Sequence, residues 1–377
     1  MPTQVLTLEL GSGNESAVIR DDVHGVFVTV LSDGRPLALA QMDRPASGRV
    51  AAADALAAAF TRAPESLADH SSVASEHLSI VVCTHERPSD LRRCLASLES
   101  ARAAGHEVLI VDNAPTSGAT AAVAGEFGVR VITERRKGLD HARNAGVAAA
   151  GHAYVAFVDD DVVVSARWAS AVAASFTRAD VACVTGLVLP LELETAAQES
   201  FERYSRQRRD LTPRVYSRAT LRPSAAGLVG MGANMAFRRD VLTSLGGFDP
   251  RLDAGTRTQS GGDTDMFART LDAGHVIAYV PDAFVWHRHR RTAAEVRACV
   301  FGYGVGLYSV LAKRLVEAGD VAALVTAARW FAGPVVKAAA MKLRGQSSAP
   351  WTVVLSETAG ACCGPLQLIL ETRRGAP

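Results

Sequence analysis

From Leu78 onward the chain alternates two patterns of apolar and polar positions. Short unbroken apolar runs, "LSIVVCT", "EVLIVDN", "VRVITE" and "AYVAFVD", read as strands. Between them apolar residues recur at helical spacing. Leu91, Leu95 and Leu98 share one face before Gly105, "LDHARNAGVAAAG" is a second helix, and Trp168, Val172 and Phe176 share the face of a third. Ser89 and Ser165 stand where helix N-caps are expected. Unbroken strands alternating with helices predict a parallel sheet covered on both faces. Such sheets bind ligands beyond the carboxyl ends of their strands. The residues to watch are therefore Thr84-His85-Glu86-Arg87, Asp112-Asn113 and Asp159-Asp160-Asp161.

The flanks follow other patterns. In residues 1–75, "GVFVTVLSDGRPLALAQM" predicts two strands joined at Asp33-Gly34, and an Ala-rich helix at about Val50–Thr61 precedes the polar linker "PESLADHSSVASE". This reads as a β-rich accessory module without active-site residues. Residues 76–290 form the α/β unit, in which "HVIAYVPDAFVWHRHR" reads as a strand pair. Residues 291–377 read as helical, Ala-rich and mildly basic. The longest uncharged stretch, Ala298–Ala312, is interrupted by Gly302, Gly304 and Gly306 and falls short of the ~18 residues of a membrane span.

Composition narrows the classes. Of 377 residues 48% are hydrophobic, enough for a large core, and a net charge of +1 argues against a nucleic-acid-binding chain. Six cysteines show no metal-finger spacing, and the expectation is reduced thiols in a cytoplasmic protein. The N-terminus has no basic segment followed by an apolar one, so no signal peptide is expected. The tail and the Arg-rich segment 203–222 leave peripheral contact with the inner face of a membrane open.

The candidate chemistry starts at the Asp triplet. On an extended strand end Asp159 and Asp161 face the same side while Asp160 points away. Two carboxylates on one side suit a hard divalent cation, and a solvated turn with helix-capping carboxylates fits the same residues. Upstream, Lys137 and Arg143 in "ERRKGLDHARNAG" are residue types that bind phosphates, or a solvated helix face.

Taken in order, "SIVVCTHERPSDLRRCLASL", "VLIVDN", "KGLDHARNAGVAAAGHAYVAFVDDD", "GANMAFRRDVLTSLGGFD", "GGDTDMFARTLDAGH" and "VWH" resemble the family 2 glycosyltransferases, inverting enzymes of the GT-A fold. The resemblance covers Leu78 to Arg290. It implies a GT-A-like doubly wound mixed sheet and transfer of a sugar from a nucleotide-diphosphate donor to an acceptor hydroxyl. Asp159 and Asp161 look like the DXD motif, with Asp161 a ligand to Mn²⁺ or Mg²⁺ and Asp159 near the ribose. His287 matches the distal metal-site histidine, with His289 two residues on. Thr84, Glu86, Arg87 and Asp112 resemble nucleotide-binding positions. Asp263 matches the general base that takes the acceptor proton, and it also reads as the cap of the helix that follows. Gly262 stands where the family commonly has Glu.

Two other classes fit part of this pattern. A sugar nucleotidyltransferase is expected to carry a Gly-rich basic loop where this chain has "THERPSD". A catalytically inactive, cation-dependent carbohydrate-binding protein is expected to lack the combination of Asp159, Asp161, Asp263 and His287.

Overall fold

The computed structural model describes residues 2–58, 60–61, 76–205, 210–343 and 350–374. Most of the polar linker, and residues 206–209 of the Arg-rich segment, lie outside the described residues.

The N-terminal part builds β1 (Thr3–Leu10), β2 (Ser16–Val18), β3 (Gly25–Ser32), β4 (Arg35–Asp43), β5 (Arg49–Ala51), α1 (Ala52–Ala58) and β6 (Phe60–Thr61). Its main sheet runs β1-β3-β4-β6. The β3–β4 hairpin turns on Asp33 and Gly34, both at positive φ (50° and 69°), the conformation that favours an Asp-Gly pair. The sheet is fastened to the rest of the molecule. Thr3 N–H donates to Leu193 C=O at 2.9 Å, and Phe27, Leu31 and Leu39 share one apolar cluster with Leu187, Leu189 and Leu193.

The central sheet is built from β7 (Leu78–Thr84), β8 (Glu107–Asn113), β9 (Arg130–Glu134), β10 (Tyr154–Asp159), β11 (Val162–Val164), β12 (Val181–Pro190), β13 (Arg214–Tyr216), β14 (Asn234–Arg238) and β15 (Val276–His287). Its order is β11-β15-β12-β14-β10-β7-β8-β9, with β13 against β15. Strands β10, β7, β8 and β9 are parallel, as the alternating pattern predicts. The sheet as a whole is mixed, because β14 inserts antiparallel between β10 and β12. Successive residues serve opposite layers: Leu78, Ile80 and Val82 join one core cluster and Val81 the other.

Helices α2 (Pro88–Ser97), α3 (Glu99–Ala103), α4 (Ala119–Phe127), α5 (Leu139–Ala149), α6 (Trp168–Ser175), α7 (Ala196–Ser205), α8 (Arg239–Ser244) and α9 (Gly262–Asp272) complete this unit. Two expected caps are displaced. α2 opens with Pro88 at its first turn, whose fixed φ starts the helix ahead of Ser89. α6 begins only at Trp168, whose N–H is taken by the Ser165 carbonyl at 3.0 Å rather than by the hydroxyl. The expected strand pair at 275–290 is one twelve-residue strand, β15. Pro281 is accommodated because the register with β12 slips between Gly186 and Val188, leaving Pro281 outside the ladder.

Beyond it lie α10 (Ala293–Glu317), α11 (Ala322–Leu343) and α12 (Trp351–Arg374). A capping box of Thr292 and Glu295 starts α10, which runs through Gly302, Gly304 and Gly306 without a break. These glycines are the price of close packing. A Cβ at Gly304 would lie 2.2 Å from the Glu357 carbonyl, one at Gly306 2.0 Å from Ser260 Oγ, and one at Gly360 2.1 Å from the Phe301 carbonyl. By length and composition alone α10 and α12 are long and apolar enough to cross a membrane, a test that the core helix of a soluble protein passes as well. In α10, 50% of the apolar window is buried inside the protein, and in α12 33%.

Candidate active site

Strand register brings the watched residues to one level. Cys83 pairs with Asp159 and Thr84 with Asp112, so β8, β7 and β10 end side by side. The chain then turns back as β11, and Val162 pairs with His287 at the end of β15. The result is a cluster in which single ligand atoms of Asp159, Asp161 and His287 lie within 4.8 Å of one another. His287 Nε2 is 3.1 Å from Asp161 Oδ1. His289 turns the other way, with Nε2 at 2.6 Å from Glu202, so the imidazole facing the carboxylates belongs to residue 287. Asp160 points off to a different set of partners, accepting from the Thr84 hydroxyl at 2.7 Å and from Arg87 at 3.1 Å. Arg87 also reaches Asp161 at 3.2 Å, and Arg290 lies 3.6 Å from it.

The electrostatics follow from crowding three carboxylates under partial cover. Burial raises Asp159, and the charge of Asp161 pushes the same way. Burial also opposes ionisation of Asp161, but His287, Arg87 and Arg290 outweigh it and hold its carboxyl below the ordinary range. Asp160 is pushed up to about 6, mainly by burial and against the pull of Arg87. His287 is disfavoured as a cation by burial, yet Asp161 and Asp159 together raise it. Two carboxylates and one imidazole, preset within bonding range of a common point, are a donor set that fits Mn²⁺ or Mg²⁺.

Asp263 sits in the first turn of α9, whose N-cap is Gly261 at φ 108°, so Asp263 does not cap the helix. Its Oδ1 accepts from Thr264 N–H at 2.6 Å and its Oδ2 from Gly232 N–H at 2.7 Å, which fixes the carboxylate from two sides. Burial and the nearby Asp253 raise its pKa, while Arg143 opposes them. Arg143 is buried, ion-paired to Asp140 at 2.9 Å and Asp253 at 2.6 Å, and lies over the Phe248 ring. Asp265 faces elsewhere, bonded to Lys313 at 2.8 Å and Arg269 at 2.8 Å.

Gly262 has a physical reason in this arrangement. A Cβ there would lie 2.0 Å from Asp140 Oδ2, so the Asp140 carboxylate fills the space a side chain would need. Gly262→Ala is expected to cost ~1–3 kcal/mol of stability, as overpacking does. Gly262→Glu, which restores the residue common in the family, is expected to lower the melting temperature further rather than improve the enzyme. Unfolding curves of both variants check this, and an unchanged midpoint for Gly262→Glu would show that Asp140 moves aside freely.

A cleft of about 680 Å³ runs along the site, and Arg87, Arg143, Asp159, Asp263 and His287 all line it. Thr84, Glu86, Asp112 and Lys137 are not among its lining residues. Thr84 acts behind it through Asp160. Glu86, at φ 55°, spends both oxygens on Thr116 N–H and on Ser117, which lowers its pKa to about 2. Asp112 is buried with Oδ1 unpartnered, and burial raises its pKa. Lys137 is exposed. The sequence reading missed Asp140 and Asp253. Asp140 carried one signal, its i,i+3 spacing to Arg143. Asp253, at φ 71° in a loop far along the chain, carried none.

The site thus joins paired carboxylates after β10 to a histidine at the end of β15, two strands that β12 and β14 separate within one mixed α/β sheet. The family described as glycosyl transferase family 2 matches residues 79–246. The pre-mycofactocin glycosyltransferase of Mycobacterium tuberculosis is 27% identical over 216 residues, 56% of this chain and 43% of that protein. The succinoglycan biosynthesis protein ExoM of Rhizobium meliloti is 28% identical over 218 residues, 55% of this chain and 66% of that protein. The chain thus spans less than two thirds of either relative. Among solved structures, a mannosyltransferase from Pyrobaculum calidifontis in complex with GDP-Man and Mn²⁺ is similar with a TM-score of 0.47 and 17% identity, over 79% of this chain and 73% of that one.

Proposed function

We propose that this protein is an inverting glycosyltransferase that moves a sugar from a nucleotide-diphosphate donor to an acceptor hydroxyl. The observation that carries the reading is the cluster of Asp159, Asp161 and His287 beside a cleft that Asp263 also lines. Asp161 and His287, with Asp159 adjacent, would hold Mn²⁺ or Mg²⁺. Such an ion supplies charge neutralisation at a leaving diphosphate. Arg87 and Arg290 flank the same carboxylates and add positive charge where phosphates would lie. Asp263 accepts the proton of the acceptor hydroxyl while that oxygen bonds to the anomeric carbon and the bond from that carbon to the diphosphate breaks.

Thermal-shift titration of UDP, GDP and TDP, each with Mn²⁺, Mg²⁺ or EDTA, tests the reading. Stabilisation by at least one nucleoside diphosphate that disappears in EDTA is expected. Equal stabilisation with and without metal, or none by any of the three, overturns it.

A further inference from the structure

The far wall of the cleft is not part of the strand ends at all. It comes from the C-terminal helices: Tyr303 and Leu307 on α10, Trp330 on α11 and Glu357 on α12. Trp330 is half-buried and lies against Gly227, as does Thr264. A Cβ built on Gly227 would lie 3.2 Å from the Trp330 ring and 3.6 Å from the Thr264 γ-methyl. Thr264 follows Asp263 and donates its N–H to that carboxylate. The indole therefore flanks the residue assigned as base. The charges along the cleft are sorted. Arg87, Arg143, Arg290 and His287 stand at the strand-end side, whereas the described residues of α10, α11 and α12 contribute two carboxylates, Glu295 and Glu357, and no Lys or Arg to the lining. Glu357 bonds to the Tyr204 hydroxyl, and burial pushes its carboxyl up to about 7.

We propose that this helical wall is the acceptor site and that it takes an uncharged sugar ring, stacked on Trp330 with its hydroxyls toward Glu357 and Asp263. The inference rests on the transferase reading above and names its acceptor class. An indole face offers area to the C–H face of a pyranose, and a carboxyl accepts hydrogen bonds from ring hydroxyls. A phosphorylated or carboxylated acceptor would meet Glu357, Glu295 and Asp263 with no cation among the described residues of the helical wall to offset them.

The test is saturation-transfer NMR on the full chain loaded with UDP and Mg²⁺, using methyl glucoside, methyl galactoside and methyl mannoside in both anomers, with 3-phosphoglycerate as the anionic arm. At least one glycoside is expected to receive saturation on the C–H protons of one ring face, and 3-phosphoglycerate none. Trp330→Ala is expected to weaken glycoside binding about tenfold, and Trp330→Phe to keep most of it. UDP affinity, measured in the same samples, reports that each variant is folded; if Trp330→Ala does not fold, Trp330→Leu takes its place against Trp330→Phe. Binding of 3-phosphoglycerate in preference to every glycoside, saturation of no glycoside, or full glycoside binding without the indole overturns the assignment. Failure of the wild-type chain to bind any of UDP, GDP and TDP with Mg²⁺ would instead overturn the transferase reading, and where GDP or TDP binds in place of UDP, that nucleotide loads the chain in this test.

Discussion

Asp263→Asn is expected to bind nucleotide donor and Mn²⁺ as the wild type does and to transfer almost nothing. The substitution keeps the shape of the side chain and one oxygen to accept from Gly232 or Thr264, so the first turn of α9 stays in place. What it removes is the proton acceptor, and loss of a general base typically costs ~10²–10⁴ in rate. The deficit belongs in kcat, with donor binding unchanged. A pH profile gives the same assignment a second reading. Asp263 must be ionised to accept a proton, and burial with Asp253 raises its pKa against the pull of Arg143. Transfer is therefore expected to fall as the pH drops through a value above the ordinary carboxylate range. Asp253→Asn is expected to move that acid limb to lower pH. Asp265→Asn separates chemistry from support. It breaks a buried pair with Lys313 and Arg269, so it is expected to lower stability, on the order of 3–5 kcal/mol, while folded enzyme keeps its rate. If Asp265→Asn abolishes transfer in folded protein and Asp263→Asn does not, the base is Asp265.

Asp161→Ala is expected to abolish metal-dependent binding of nucleoside diphosphate. Losing a ligand outright should exceed the ~10–100-fold penalty typical of losing an outer-shell partner. The fold is expected to survive, since Asp161 lies in the turn between β10 and β11 rather than in an apolar cluster, and removing a crowded carboxylate relieves Asp159. Calorimetry with UDP at fixed Mn²⁺ measures the effect, and a circular-dichroism melt measures the fold. Unchanged affinity in a folded variant would remove Asp161 from the metal site.

Much of the fold was legible because β7, β8 and β10 are buried on both faces, so their apolar runs are unbroken and their ends are marked by the first polar residue. The insertion of β14 between β10 and β12 was not legible. Strand order is decided by which edges are free when the chain returns, and "NMAFR" reads the same in either direction. Pro281 made one strand look like two, because the unpaired residues 281–284 that tolerate it form an irregularity inside β15, which a linear apolar pattern does not distinguish from a break. At the site, the common facing of Asp159 and Asp161 follows from strand alternation alone. The Asp140–Arg143–Asp253 network does not, since burial of charge depends on partners 110 residues apart. Ser89 and Ser165 had the right chemistry for caps and lost to Pro88 and to backbone carbonyls.

The glycine contacts of α10 bear on how the proposed acceptor preference could be changed. The family match covers residues 79–246, and the helices lining the far wall lie outside it. Transplanting a relative's tail would ordinarily be the direct way to exchange one acceptor for another. Here α10 meets both Ser260, just ahead of the catalytic helix, and α12 at distances where even a methyl group does not fit. A chimera that keeps this catalytic half therefore has to carry Gly306, and one that keeps α10 has to carry Gly360 and Gly364. A graft with any larger residue at these places would push the Trp330 wall off the base, and its failure would be mistaken for wrong acceptor chemistry.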